Sequence, residues 1–239
     1  MADVVACPAI EPIPFGDEMG TETVTLCVGP ENYVFRVHKK PLCKKIAYFA
    51  KMFDGKFEEA ITSTATFPED ESLTFGSLLN WVYHDTIPTV AFHKNEVGKW
   101  RENWDVLKLY VLAEKLCVSE AMDRALDAYM TAHRRSNLLP GIDDVDAGYS
   151  DTGESSTLRK FLCQTFIYAL TCFDTGRPGG SWENKGMQML LAKHPDLARD
   201  IVPILRGTMG KKVVHPLQAS KCAFHAHGEN EPCYLGASS

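Results

Sequence analysis

Two short alternating stretches early in the chain leave it few folds to choose from. Val24, Leu26 and Val28 fall on one side of an extended segment, and Tyr33, Phe35 and Val37 share a side in the next. Between them stands Gly29-Pro30-Glu31-Asn32, a run of turn formers. A two-residue period on both sides of a turn predicts a β-hairpin. Pro41 suits the first turn of a helix, and Leu42, Ile46 and Phe49 make one apolar stripe ending near Phe53-Asp54-Gly55. A short strand is expected around Thr64 to Phe67. Ser72 then caps a helix with Phe75, Leu78, Leu79, Val82 and Tyr83 along one side.

Residues 88–103 are polar and carry Pro88 and Gly98, so they read as a surface loop between helices. Asp105 opens a helix bearing Leu107, Tyr110, Val111 and Leu116. Ser119 caps another with Met122, Leu126, Tyr129 and Met130 inward, and the two should pack as a helical hairpin. Residues 134–156 are acidic and turn-rich and read as a linker. Beyond it Leu158, Phe161, Leu162, Phe166, Ala169 and Leu170 form a helical stripe, ended by the glycines of 176–180. A further helical region runs from about Asn184 to Arg206, broken at His194-Pro195. Residues 1–20 hold three prolines and two glycines and read as a flexible tail.

The longer words repeat a known order. Tyr33-Val-Phe-Arg-Val-His38-Lys-Lys-Pro-Leu42, continuing to Tyr48-Phe49-Ala-Lys-Met52-Phe53, resembles the BTB/POZ signature, in which a strand leads through His-x-x-x-Leu to a helix ending in Tyr-Phe. Phe67-Pro-Glu-Asp-Glu, Phe75 with Leu78-Leu79-Asn-Trp81-Val-Tyr83, and Leu109-Tyr110-Val-Leu-Ala113-Glu114-Lys115-Leu116 follow in the same family order. Ile46 replaces a common serine, Thr23 a common aspartate, and the 88–103 insertion is unusual, a style closer to divergent fungal members than to animal transcription factors.

The resemblance implies an α/β (α+β) chain: a small sheet flanked by a cluster of helices, then a helical extension. The expected plan is a tail over 1–20, a BTB/POZ domain over 21–133, an acidic linker over 134–156, a helical extension over 157–210 and a Cys/His-rich tail over 211–239. It also implies a protein-interaction module rather than an enzyme. Protein partners, a homodimer and a cullin ubiquitin-ligase scaffold are the expected associations.

Adaptor members carry a hydrophobic-x-Glu element after the Tyr-Phe helix, and Phe57-Glu58-Glu59 is similar to it, which makes Phe57 and Glu59 partner-binding candidates. The same three residues also read as a core Phe57 beneath a solvated acidic pair, the commoner outcome for so short a motif. His38 lies beside Lys39 and Lys40 with no nearby nucleophile and reads as a strand-end hydrogen-bonding residue.

Cys222-Ala-Phe-His225-Ala-His227-Gly228-Glu-Asn-Glu-Pro232-Cys233 gathers two thiols and two imidazoles within a dozen residues. That donor set is the one zinc takes in closed structural sites, and turn formers Gly228 and Pro232 let the chain wrap an ion. Cys222, His225, His227 and Cys233 are therefore the expected ligands of a structural zinc ion. His215 is the substitute should His225 point elsewhere. A catalytic zinc would need a base, for which Glu229 and Glu231 are the local candidates.

Composition narrows the alternatives. The formal charge of −6 gives no overall positive field for nucleic acid or anionic lipid, so a DNA-binding regulator is disfavoured. No apolar run is long enough to span a membrane. Most of the eight cysteines sit singly in apolar runs, and no Asn-x-Ser/Thr acceptor occurs, so a reducing cytoplasmic or nuclear setting is expected. The competing reading is a zinc-dependent enzyme with its active part in the C-terminal third.

Overall fold

The hairpin predicted by alternation forms: β1 (Thr23–Val28) pairs antiparallel with β2 (Tyr33–His38), Thr23 opposite His38 and Val28 opposite Tyr33. Its turn needs a positive φ at Gly29 (77°) and at Asn32 (52°), which glycine and asparagine adopt at least cost. A computed structural model describes residues 15–172, 181–220, 222–228 and 231–236. Of the expected N-terminal tail, 1–14 lie outside the described residues, and α1 (Phe15–Met19) is helical. The chain divides into two units at Ser72.

In the first unit β3 (Thr64–Phe67) adds parallel to β1, giving the order β2-β1-β3. Val24, Leu26 and Val28 are buried, as their alternation requires. The expected apolar face of β2 is only partly inward: Val37 is buried, while Tyr33 is exposed and its ring leans on Phe35 with centroids 4.8 Å apart. β2 is an edge strand, so half of its pattern faces solvent. The helix expected across Pro41 to Phe53 is two, α2 (Lys39–Lys45) and α3 (Ala47–Phe53), because Ile46 is extended (φ −124°, ψ 101°) and turns its fully buried side chain inward. α4 (Glu58–Thr62) follows and ends at Ser63 in a left-handed conformation.

The second unit holds α5 (Ser72–His84), β4 (Phe92–Lys94), β5 (Trp100–Glu102), α6 (Val106–Lys115), α7 (Ser119–Ser136), α8 (Ile142–Asp151), α9 (Thr157–Cys172), α10 (Asn184–Lys193) and α11 (Pro195–Thr208). The expected loop over 88–103 contains the antiparallel pair β4–β5, too short and too polar to announce itself. α6 and α7 pack as the expected hairpin, and the Asp105 side chain caps α6 by accepting the Lys108 N–H at 3.2 Å. The break foreseen at His194-Pro195 separates α10 from α11. The turn expected at 176–180 lies outside the described residues.

The acidic linker is corrected: much of 134–156 is α8. Val145, Gly148 and Tyr149 form a buried stripe at helical spacing, and a Cβ at Gly148 would lie 2.2 Å from Leu162 Cδ1, so a larger residue there would force the Leu162 side chain on α9 to shift. The acidic residues are spent locally: Asp144 accepts the Gly141 N–H at 2.6 Å, and Asp146 pairs with Lys193 (2.6 Å) and His194 (2.7 Å).

A buried polar cluster joins β5 to α7. Glu102 Oε1 stands 3.8 Å from His133 Nε2, and the His133 ring is wedged between Phe92 (4.7 Å) and Tyr129 (4.4 Å). Burial, then Asp144 and Asp105, pushes the Glu102 carboxyl from 4.5 up to about 8, against an opposing backbone N–H from Val106. Burial pushes His133 from 6.5 down to about 4, so the pair is neutral around pH 7. The folded state holds the Glu102 proton more tightly than the unfolded chain does. Its contribution is therefore complete below about 4.5 and lost as pH rises toward 8. His133 has the opposite sign: its contribution is present above 6.5 and lost as pH falls through 4. Glu102→Gln is expected to flatten the alkaline arm of the stability profile. Thermal melts of wild type and variant across that range check this, and parallel profiles would contradict it.

Candidate functional site

The chemistry-bearing end of the chain is docked rather than free. A 3-10 turn at Pro216–Gln218 is tied to α7, where Arg134 donates to the Leu217 carbonyl through Nε (3.0 Å) and Nη2 (2.8 Å). Phe224 is buried edge-on against Phe161 of α9, with centroids 5.2 Å apart. A bulky apolar anchor of this kind fixes the backbone that carries the neighbouring polar residues.

Cys222, His225, His227 and Cys233 are brought together, with one ligand atom from each lying within 4.8 Å of the others. Cys222 Sγ is 3.8 Å from Cys233 Sγ, and Cys233 Sγ is 3.5 Å from His225 Nδ1. The His227 Nδ1 lies 3.1 Å from the Gly228 carbonyl, while its Nε2 is buried without a hydrogen-bond partner. Leu235 N–H points at Cys233 Sγ from 3.5 Å. Among the described residues this is the one group of three or more His, Cys, Asp or Glu side chains arranged to hold a metal ion.

Residues from α7 that the sequence reading did not single out complete the surroundings. Asp127 Oδ2 accepts from His225 Nε2 at 3.1 Å and also from the Tyr234 hydroxyl. Asp123 Oδ1 accepts the Ala226 N–H, and its Oδ2 stands 3.8 Å from His225 Nδ1. Burial raises the Asp123 carboxyl, opposed first by the Ala226 N–H and then by the neighbouring imidazoles of His225 and His227. The Arg124 guanidinium covers the Tyr234 ring at 4.2 Å. One signal was available: Asp123 is an acid beside the apolar stripe of Met122, Leu126 and Tyr129, with a second acid four residues on.

His215 lies apart from the cluster, accepting the Leu217 N–H at 3.2 Å and lying against Tyr168 with centroids 4.5 Å apart. Glu231 is occupied in closing the Gly228 turn, where it accepts the Gly228 N–H at 3.0 Å. Glu229 lies outside the described residues.

The partner-binding candidates belong to the first unit. Phe57 precedes α4 and is 60 % exposed, so the reading of it as a core residue is corrected. Glu58 is exposed and Glu59 half-buried. Ile61, on α4 and 84 % exposed, is a second exposed apolar residue that the sequence reading did not name.

A family model of the BTB/POZ domain matches residues 18–127. No curated protein matches the chain.

Proposed function

We propose, from the premise that residues 18–127 are a BTB/POZ domain, that this chain is a self-associating scaffold or adaptor that docks a cullin ubiquitin-ligase scaffold through α4. A BTB/POZ domain is a protein-interaction module, and such a module works by burying apolar area inside a polar rim. The observation carrying the reading is that Phe57, just ahead of α4, and Ile61, on α4, are both exposed beside Glu58 and Glu59, and that α4 has no buried residue. In this reading residues 21–133 supply the docking body, acting as a homodimer, with Phe57 and Glu59 as partner contacts. No helix among the described residues is long and apolar enough to cross a membrane.

Phe57→Ala is expected to weaken binding to a purified cullin amino-terminal region by ten-fold or more, about the 1.4 kcal/mol or more that an apolar anchor contributes. Calorimetric titration of both proteins checks this. Equal affinities would remove α4 from the interface, and no binding by the wild type would remove the cullin reading.

The same proposal gives the Cys/His cluster a structural zinc ion. With Zn–S near 2.3 Å and Zn–N near 2.05 Å, a tetrahedral centre has S···S and S···N edges of about 3.8 and 3.6 Å. The observed separations, 3.8 Å for Cys222 to Cys233 and 3.5 Å for Cys233 to His225, support that ion. The unpartnered Nε2 of His227 supports it again, since a buried acceptor without a partner is costly. A tail this short has few apolar residues of its own, so the metal would supply much of its order.

A further inference from the structure

We infer that Asp127 is a positioning residue of the metal site: it takes the Nε2–H of His225, leaves Nδ1 as the coordinating atom, and thereby makes metal occupancy close the C-terminal tail onto α7. The inference rests on the metal-binding reading above.

The two nitrogens of His225 have different neighbours. Nε2 is 3.1 Å from the Asp127 carboxylate, a hydrogen-bonding distance, whereas Nδ1 is 3.5 Å from the Cys233 thiol and 3.8 Å from the nearer Asp123 oxygen. A neutral imidazole carries one proton, and the carboxylate holds it on Nε2. The lone pair on Nδ1 then faces the thiols. His227 is arranged the opposite way, with Nδ1 on the Gly228 carbonyl and Nε2 unpartnered. The site therefore binds one histidine through each kind of nitrogen. A carboxylate on the far nitrogen fixes the tautomer and raises the basicity of the ligating one.

Asp123 serves the same end on the backbone. It accepts the Ala226 N–H between the two histidines, and with Asp127 one turn further along α7 it grips the loop at two points. Tyr234 adds a third hold, donating to Asp127 from beyond Cys233. Both carboxylates fall inside the 18–127 match and all four ligands outside it, so the ion joins the tail to the last helix of the BTB/POZ domain. With its metal removed, the tail keeps Phe224 and the Arg134 bonds but loses the closure between Cys222 and Cys233.

The test uses the full chain loaded with zinc and labelled with nitrogen-15 at histidine. Long-range proton–nitrogen correlation should show His225 bound through Nδ1 and His227 through Nε2, and Nε2 coordination at His225 would overturn the inference. This readout needs no variant. Asp127→Asn should keep a one-to-one cobalt complex with the spectrum of a two-sulfur, two-nitrogen tetrahedron while binding about 10- to 100-fold more weakly. Wild-type affinity in that variant would also overturn the role given to Asp127 while leaving the metal site intact. A wild-type chain that binds neither cobalt nor zinc would remove the metal-binding reading itself.

Discussion

Cys222→Ser combined with Cys233→Ser should abolish metal binding and melt several degrees below the wild type. Both thiols contribute to one cluster, at 3.8 Å from each other, and a hydroxyl is a poor replacement for a thiolate. An ion present at a hundred times its dissociation constant stabilises the folded state by about 2.7 kcal/mol. At about 2–4 °C per kcal/mol, that predicts a fall of about 5–10 °C. The wild type treated with a strong chelator should reach the same lower temperature, and the double variant should not respond to chelator. Metal content by mass spectrometry, read beside thermal melts, checks both halves. One equivalent of zinc retained by the double variant would overturn the ligand assignment.

Arg159→Ala should cost about as much by a different route. The Arg159 side chain is 8 % exposed, and its guanidinium bridges three elements. It donates to the Tyr149 carbonyl at 2.9 Å, to Thr152 Oγ1 at 3.2 Å and to the Thr152 carbonyl, and it pairs with Asp196 of α11. It also lies over the Tyr149 ring at 4.8 Å. Truncation leaves those acceptors without a donor, and breaking a buried pair from one side costs about 3–5 kcal/mol. Arg159→Lys should recover little, because one ammonium cannot reproduce a planar fork aimed at α8 and α11 together. Denaturant titration of the three proteins measures the effect; a loss below about 1 kcal/mol for the alanine variant would show that α8 does not depend on this bridge.

What the sequence disclosed follows from what periodicity can encode. Val24, Leu26 and Val28 alternate because one face of β1 is buried, and α6 and α7 show stripes because each buries one side. α8 escaped notice because its stripe is only Val145, Gly148 and Tyr149 among acids whose partners are remote, Lys193 and His194 for Asp146. β4 and β5 are three residues each, too short to establish a period. Ile46 reads as a helical residue, and its extended backbone reflects the packing of α2 and α3 rather than a local signal.

The site divides along the same line. Its four metal-binding candidates were legible because they fall within a dozen residues. The contact that distinguishes the two nitrogens of His225 was not, since its partner, Asp127, lies 98 positions before His225. Phe57 shows the converse failure: a lone aromatic beside two acids gives no sign of facing outward, and only its place ahead of α4 reveals it.

In the proposed function this chain works by presenting a docking surface. Affinity purification of the full chain from its own cells, run in parallel with Phe57→Ala carrying Ile61→Ala, tests that most directly. A cullin scaffold is expected among the proteins held by the wild type and should be lost from the variant, with the variant's own melting temperature preserved. Equal recovery of the same partners by both chains would contradict it.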